Sequence, residues 1–143
     1  EGYKQDSLSE VGDMRYLGID YGKKQMGLAL SDTEGRIAFP RTQLTTYNLQ
    51  LTIKSINDVI KKEGIEKIIV GLPITFGGKE SAQTAEARAF GEKLQKAVQL
   101  PVEFENELLT TKMAFKSGVA KNKVDAASAA IILQSYLDKR SKY

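Results

Sequence analysis

From Met14 onward the spacing of apolar residues switches between the strand and helix periods, and each switch marks a change of element. Tyr16, Leu17 and Ile19 give a short strand over Arg15 to Asp20, and Gly22 gives a turn. Met26 to Leu30 is mostly apolar and small, a second strand, and Asp32 to Gly35 is rich in turn formers. Ile37 to Leu44 reads as a third strand, with Pro40 assigning it to a sheet edge. Three strands with two short connections predict an antiparallel meander. Ile53, Ile56, Val59 and Ile60 then recur at three- and four-residue steps, which predicts an amphipathic helix over 48–63 with Gly64 as its C-terminal cap. The β-branched run from Lys67 to Leu72 suits a buried strand, with Pro73 stopping it. Gly77 and Gly78 mark a loop, and Ser81 can cap a helix reaching about Gln99, with Phe90, Leu94 and Val98 as its buried stripe. Past Pro101, Val102 to Glu105 alternates as a strand. Thr110 can cap a short helix ending near Gly118. A last helix from Val124 to Lys139 presents Ala126, Ala129, Ala130, Leu133 and Leu137 on one face.

The order is therefore βββαβαβαα. Strands joined through helices pair in parallel with right-handed crossovers. The fold class expected is α/β, a mixed five-stranded sheet in the order 3-2-1-4-5 with helices on both faces. Residues 1–13 show no apolar period and are expected to be a disordered extension or an artificial remnant ahead of Met14. Residues 14–143 are expected to form a single domain.

Composition narrows the chemistry more than the fold. Among 143 residues there is no cysteine and no histidine. Thiolate nucleophiles, Cys-ligated zinc, Ser-His-Asp triads and histidine bases are excluded. Carboxylates, lysine, tyrosine, hydroxyls and hard cations remain. No run of 18 apolar residues exists, so the expectation is a soluble, cytoplasmic protein with no membrane partner. The net charge of +3 is uneven: residues 1–13 carry −3, residues 14–109 carry +1 and residues 110–143 carry +5. A basic end suggests a polyanion, although a solvated helix surface explains it as simply.

Three segments can carry chemistry. In Gly18-Ile19-Asp20-Tyr21-Gly22, Asp20 closes the first strand beside a glycine turn, where another group can approach the backbone. Sites in such sheets gather at the carboxyl ends of strands. Glu105-Asn106-Glu107 ends the fifth strand and can bring Glu107 to the same edge. Asp125 begins a helix rich in small residues. Singly, each also reads as a turn, a strand end or a helix cap. Converging, three carboxylates would repel by about 4 kcal/mol per pair at 4 Å and an effective dielectric of 20. Such a cluster calls for oxygen-seeking cations, one or two Mg²⁺ or Mn²⁺. A pair of these ions roughly 4 Å apart stabilises attacking and leaving oxygens in phosphodiester cleavage, and lowers the pKa of water where no histidine base exists.

The motifs G-I-D-Y-G-K-K-Q-M-G-L-A-L-S-D, I-I-V-G-L-P, N-E-L-L-T-T and K-V-D-A-A-S-A-A-I-I-L-Q, in that order, resemble the bacterial YqgF family of pre-16S rRNA nucleases and Holliday-junction-resolvase-like proteins. The resemblance covers residues 14–140. It implies a ribonuclease H-like fold and metal-dependent phosphodiester hydrolysis in 5′-end maturation of pre-16S rRNA, with Asp20, Glu107 and Asp125 as the acidic triad. It matches Lys24, Arg88, Thr110 and Thr111 to the family's lysine, arginine and hydroxyl pair. The chain departs from the family at Asn106 and Leu108, where D-E-R is usual, at Lys23, where threonine is usual, and in a shorter segment before Asp125.

Lys23, Lys24, Lys79, Arg88, Lys112, Lys116, Lys121 and Lys123 surround the expected site in sequence and would contact phosphates without reading bases. Tyr21 and Phe76 could stack on bases, or pack locally. The expected partner is nucleic acid, structured RNA or branched DNA, bound by a monomer or a homodimer; a junction resolvase needs the dimer. Two rivals differ in kind. A non-catalytic nucleic-acid-binding module of the same fold would bind without cleaving. A sugar kinase or actin-like ATPase also opens with G-I-D-x-G but generally needs two such domains, and no second phosphate loop is present.

Overall fold

The computed structural model describes residues 14–75, 77–108 and 121–140. The expected extension over 1–13, the short helix from Thr110 to Gly118, and Phe76 lie outside the described residues.

Five strands form one sheet: β1 (Tyr16–Asp20), β2 (Gln25–Ser31), β3 (Ala38–Thr45), β4 (Lys67–Ile74) and β5 (Val102–Leu108). The order is β3-β2-β1-β4-β5, as the connections require. β1, β2 and β3 form the antiparallel meander, while β4 pairs in parallel with both β1 and β5. Helices α1 (Leu49–Glu63) and α2 (Ala82–Val98) cover one face, and α3 (Lys121–Arg140) covers the other.

The strand period of two divides the core between the faces. Leu17, Ile19, Leu28, Ile68 and Val70 pack with Ile56 and Ile60 of α1 and with Phe90 and Leu94 of α2. Tyr16, Ala29 and Ile69 face α3, against Ala129, Ile132, Leu133 and Tyr136. Helix ends follow local chemistry. The Asn48 side chain accepts from the Leu51 N–H, Gly64 closes α1 with φ at 69°, and Ser81 with Thr84 forms a reciprocal capping box on α2. Ile132 and Tyr136 join the buried face of α3, which the alanine pattern alone had understated.

Two strand boundaries differ from expectation. β4 does not stop at Pro73 but continues to Ile74. β1 has already ended at Asp20, and its last pairing with β4 is Ile19 with Val70. Pro73 therefore has no strand neighbour on that side, where a missing N–H costs no ladder bond. β5 likewise runs past Glu105 to Leu108, because β4 offers it a partner as far as Ile74. Glu107 is thus the last residue but one of the strand.

Candidate active site

Tyr16, Gly18 and Asp20 alternate onto the α3 face of β1. Asp20 stands at the carboxyl end and is only 4% exposed. A single cross-sheet row explains how it meets the start of α3. Asp20 is the register partner of Gly27 on β2, and Gly27 is the partner of Gln43 on β3. Directly opposed residues in antiparallel strands lie about 5 Å apart. A Cβ placed on Gly27 would fall 1.8 Å from the carbonyl oxygen of Asp125. Only a residue without a side chain lets the helix backbone come this close. Gln43 completes the row: its Oε1 accepts from the backbone N–H of Asp125 at 3.1 Å, and its Nε2 donates to Oε1 of Gln25 at 3.3 Å. Asp20 and Asp125, 105 positions apart in the chain, are brought together by one glycine and one glutamine.

Both aspartates line a cavity of about 480 Å³, together with Lys23, Lys24, Tyr47 and Glu86. The lysines are exposed, and the turn carrying them is pinned. The N–H of Thr46 donates to the Lys24 carbonyl at 3.0 Å, and the Thr46 hydroxyl donates to the Lys23 carbonyl. The Lys23 ammonium lies 3.8 Å from Glu86 of α2.

Glu107 is placed at the same end of the sheet and on the same face, but on β5, with β4 between it and β1. It is not among the described residues that line the cavity. Among the described residues no three acidic side chains stand in a ready metal-binding group. The other β5 acids serve the fold. Glu105, 5% exposed, accepts from Ser135 at 2.8 Å and pairs with Lys139 at 2.7 Å. Glu103 accepts from the Tyr136 hydroxyl at 2.7 Å and pairs with Lys67 at 2.5 Å. Burial works against the charge on Glu103, but the hydrogen bonds from Lys67 and Tyr136 outweigh it and hold its carboxyl below the usual range.

The remaining expected residues divide. Arg88 does not line the cavity; it pairs with Glu80 at 2.6 Å and lies over the Phe104 ring. Lys79 is exposed on the β4–α2 connection, also away from the cavity lining. Tyr21 packs locally, stacked on Phe90 with centroids 4.8 Å apart. Lys121 and Lys123 fall in the first turn of α3, and Thr110, Thr111, Lys112 and Lys116 lie outside the described residues. Gln43 and Tyr47 escaped the sequence reading. Nothing in one dimension marks a glutamine on an edge strand as the hydrogen-bond partner of a helix residue 82 positions away.

A family model described as RuvX, Holliday junction resolvase, matches residues 14–139. The chain belongs to the RuvX (YqgF) family. A relative in Caldanaerobacter subterraneus subsp. tengcongensis is 38% identical over 134 residues, spanning 87% of this chain and 96% of the relative. One in Rickettsia conorii is 39% identical over 136 residues, spanning 90% and 88%. Both carry the name "Putative pre-16S rRNA nuclease". Thermus thermophilus RuvC, solved with a Holliday junction substrate, superposes with a TM-score of 0.59 at 18% identity, covering 90% of this chain and 96% of that one. The fowlpox virus Holliday junction resolvase gives 0.55 at 13% identity, covering 88% and 99%. At such identities these likenesses speak for the fold, and the RuvX-family chain has the ribonuclease H-like architecture expected of it.

Proposed function

We propose that this RuvX-family chain is a nuclease that hydrolyses phosphodiester bonds in structured RNA, with Asp20, Asp125 and Glu107 as its acidic residues. The observation that carries the reading is the meeting of Asp20 and Asp125 in one cavity rimmed by Lys23 and Lys24. The donor set fits a hard divalent ion, Mg²⁺ or Mn²⁺: every candidate ligand atom is a carboxylate oxygen, and the chain holds no histidine or cysteine. Asp20 and Asp125 would hold the ion, with Glu107 as the third carboxylate from β5. When bound, such an ion neutralises charge on the phosphate and acidifies water. The chain's own groups do the rest. Burial fixes the Asp20 carboxylate at the strand end, so it needs no reordering when substrate arrives. The Gln43 bond holds Asp125 at a set height above the sheet. Lys24 and Lys23 steady the phosphates next to the scissile one, giving affinity without sequence preference.

RNA is favoured because the close relatives are named for the 16S rRNA precursor. Branched DNA is the second reading, favoured by the family's description as a junction resolvase. Purified protein is to be assayed on precursor small-subunit rRNA, single-stranded RNA and a four-way junction, in Mg²⁺, Mn²⁺ or EDTA. Asp20→Asn should abolish cleavage while thermal stability and nucleic-acid binding stay near wild type. Equal cleavage by wild type and Asp20→Asn refutes the nuclease reading. Preferential cutting of the junction transfers it to DNA.

A further inference from the structure

Tyr47 is the most exposed large apolar side chain among the described residues, at 79%, with Leu51 at 61% one helical turn on. A soluble chain can scatter apolar residues singly, but this pair borders a groove of about 240 Å³ whose walls include Leu44, Asn48 and Ser55. Tyr47 belongs to two walls at once: it lines this groove and also the cavity of Asp20, Asp125 and the exposed lysines. The groove therefore begins where a bound phosphate would sit.

The ring is held on a rigid mount. On one side Thr46 is bonded twice to the carbonyls of the Lys23–Lys24 turn. On the other, Asn48 caps α1 through its side chain, accepting from Leu51 at 3.1 Å. An aromatic fixed at the backbone yet open at the ring is organised for a flat partner before that partner arrives. Tyr21, the other aromatic among the described residues that line the cavity, is already stacked on Phe90. Positive charge beside an apolar platform selects a ligand that is anionic at one end and aromatic at the other. A nucleotide has that form, and stacking tolerates any base.

We infer that Tyr47 and Leu51 form a nucleobase subsite, in which an unpaired base flanking the lysine-bound phosphate stacks on the Tyr47 ring. This rests on the nucleic-acid-binding part of the proposed function and not on hydrolysis. The test uses the full chain in EDTA, where no cleavage intervenes. The probe is an RNA hairpin with a single-stranded extension carrying 2-aminopurine, read by anisotropy and by quenching. Wild type and Tyr47→Phe should quench alike. Tyr47→Ala should lose the quenching and bind roughly 5- to 100-fold more weakly. It should keep the wild-type melting temperature and the wild-type slope of log affinity against log salt. Lys24→Ala should quench normally at saturation but lower that slope by about one. Equal binding and quenching by Tyr47→Ala and wild type overturns the subsite, as does absence of wild-type binding to the probe. Each result stands whether or not Asp20→Asn abolishes cleavage.

Discussion

Replacing Gly27 by alanine tests how the two aspartates are joined. The new Cβ would lie 1.8 Å from the Asp125 carbonyl oxygen, 2.0 Å from its carbonyl carbon and 2.5 Å from the Ala126 nitrogen. All three are backbone atoms of a helix, so no rotamer change relieves the contact. The first turns of α3 must recede from the sheet by at least about 1.6 Å to reach ordinary van der Waals distance. Overpacking of this kind costs about 1–3 kcal/mol. For a chain of 143 residues that is roughly 4–12 °C in the melting midpoint. The catalytic loss should be larger in proportion. A reacting group misplaced by about 1 Å loses about a hundredfold in rate. Asp125 moves while Asp20 stays, so kcat should fall at least about a hundredfold with KM little changed. Gly71→Ala is the control. Its Cβ would meet the far end of the Ile132 side chain at 2.5 Å, which can swing aside. Gly71→Ala should lose some stability and keep its kcat. Cleavage of the preferred substrate, with thermal unfolding measured in parallel, decides the matter. Wild-type kcat in Gly27→Ala, or equal kcat losses in the two variants, refutes the argument that backbone approach at Gly27 sets the site.

Gln43→Leu removes an acceptor from the Asp125 N–H and should cost about 1 kcal/mol of stability, as loss of one hydrogen bond does. Its kcat should fall more than its KM rises, which steady-state kinetics with thermal melts will show. The Glu103 cluster gives a pH prediction. A carboxyl held below its unfolded value stabilises the fold above the ordinary carboxylate pKa, and that contribution disappears as pH falls through the lowered one. Wild-type melting temperature should therefore drop on acidification below about pH 4 more steeply than that of Glu103→Gln. Parallel pH curves for the two proteins contradict the assignment.

The fold was legible along the chain because its signals are local. The three-and-four spacing from Ile53 to Ile60 can face only one core, and Asn48, Gly64 and Ser81 satisfy end groups within a few residues of themselves. Strand order followed from crossover handedness. Asp20 and Glu107 were expected at the carboxyl ends of strands, and the sheet places both there, at one end and on one face. The extents of β4 and β5 were not legible: Pro73 stops a strand in isolation, and only the early end of β1 makes it harmless. The partners of the site were equally hidden. Gly27 looks like any small strand residue until α3 lies across it, and Gln43 is one polar residue among several on an edge strand. Arg88 was expected beside phosphate; its pairing with Glu80, its place over the Phe104 ring and its absence from the cavity lining are visible only in three dimensions. Sequence determined which segments would be strands and helices and which carboxylates, amines and hydroxyls the chain has to offer. Tertiary structure decided which of them meet, because a contact between residues 105 positions apart is set by packing, and packing leaves no periodic trace in the chain.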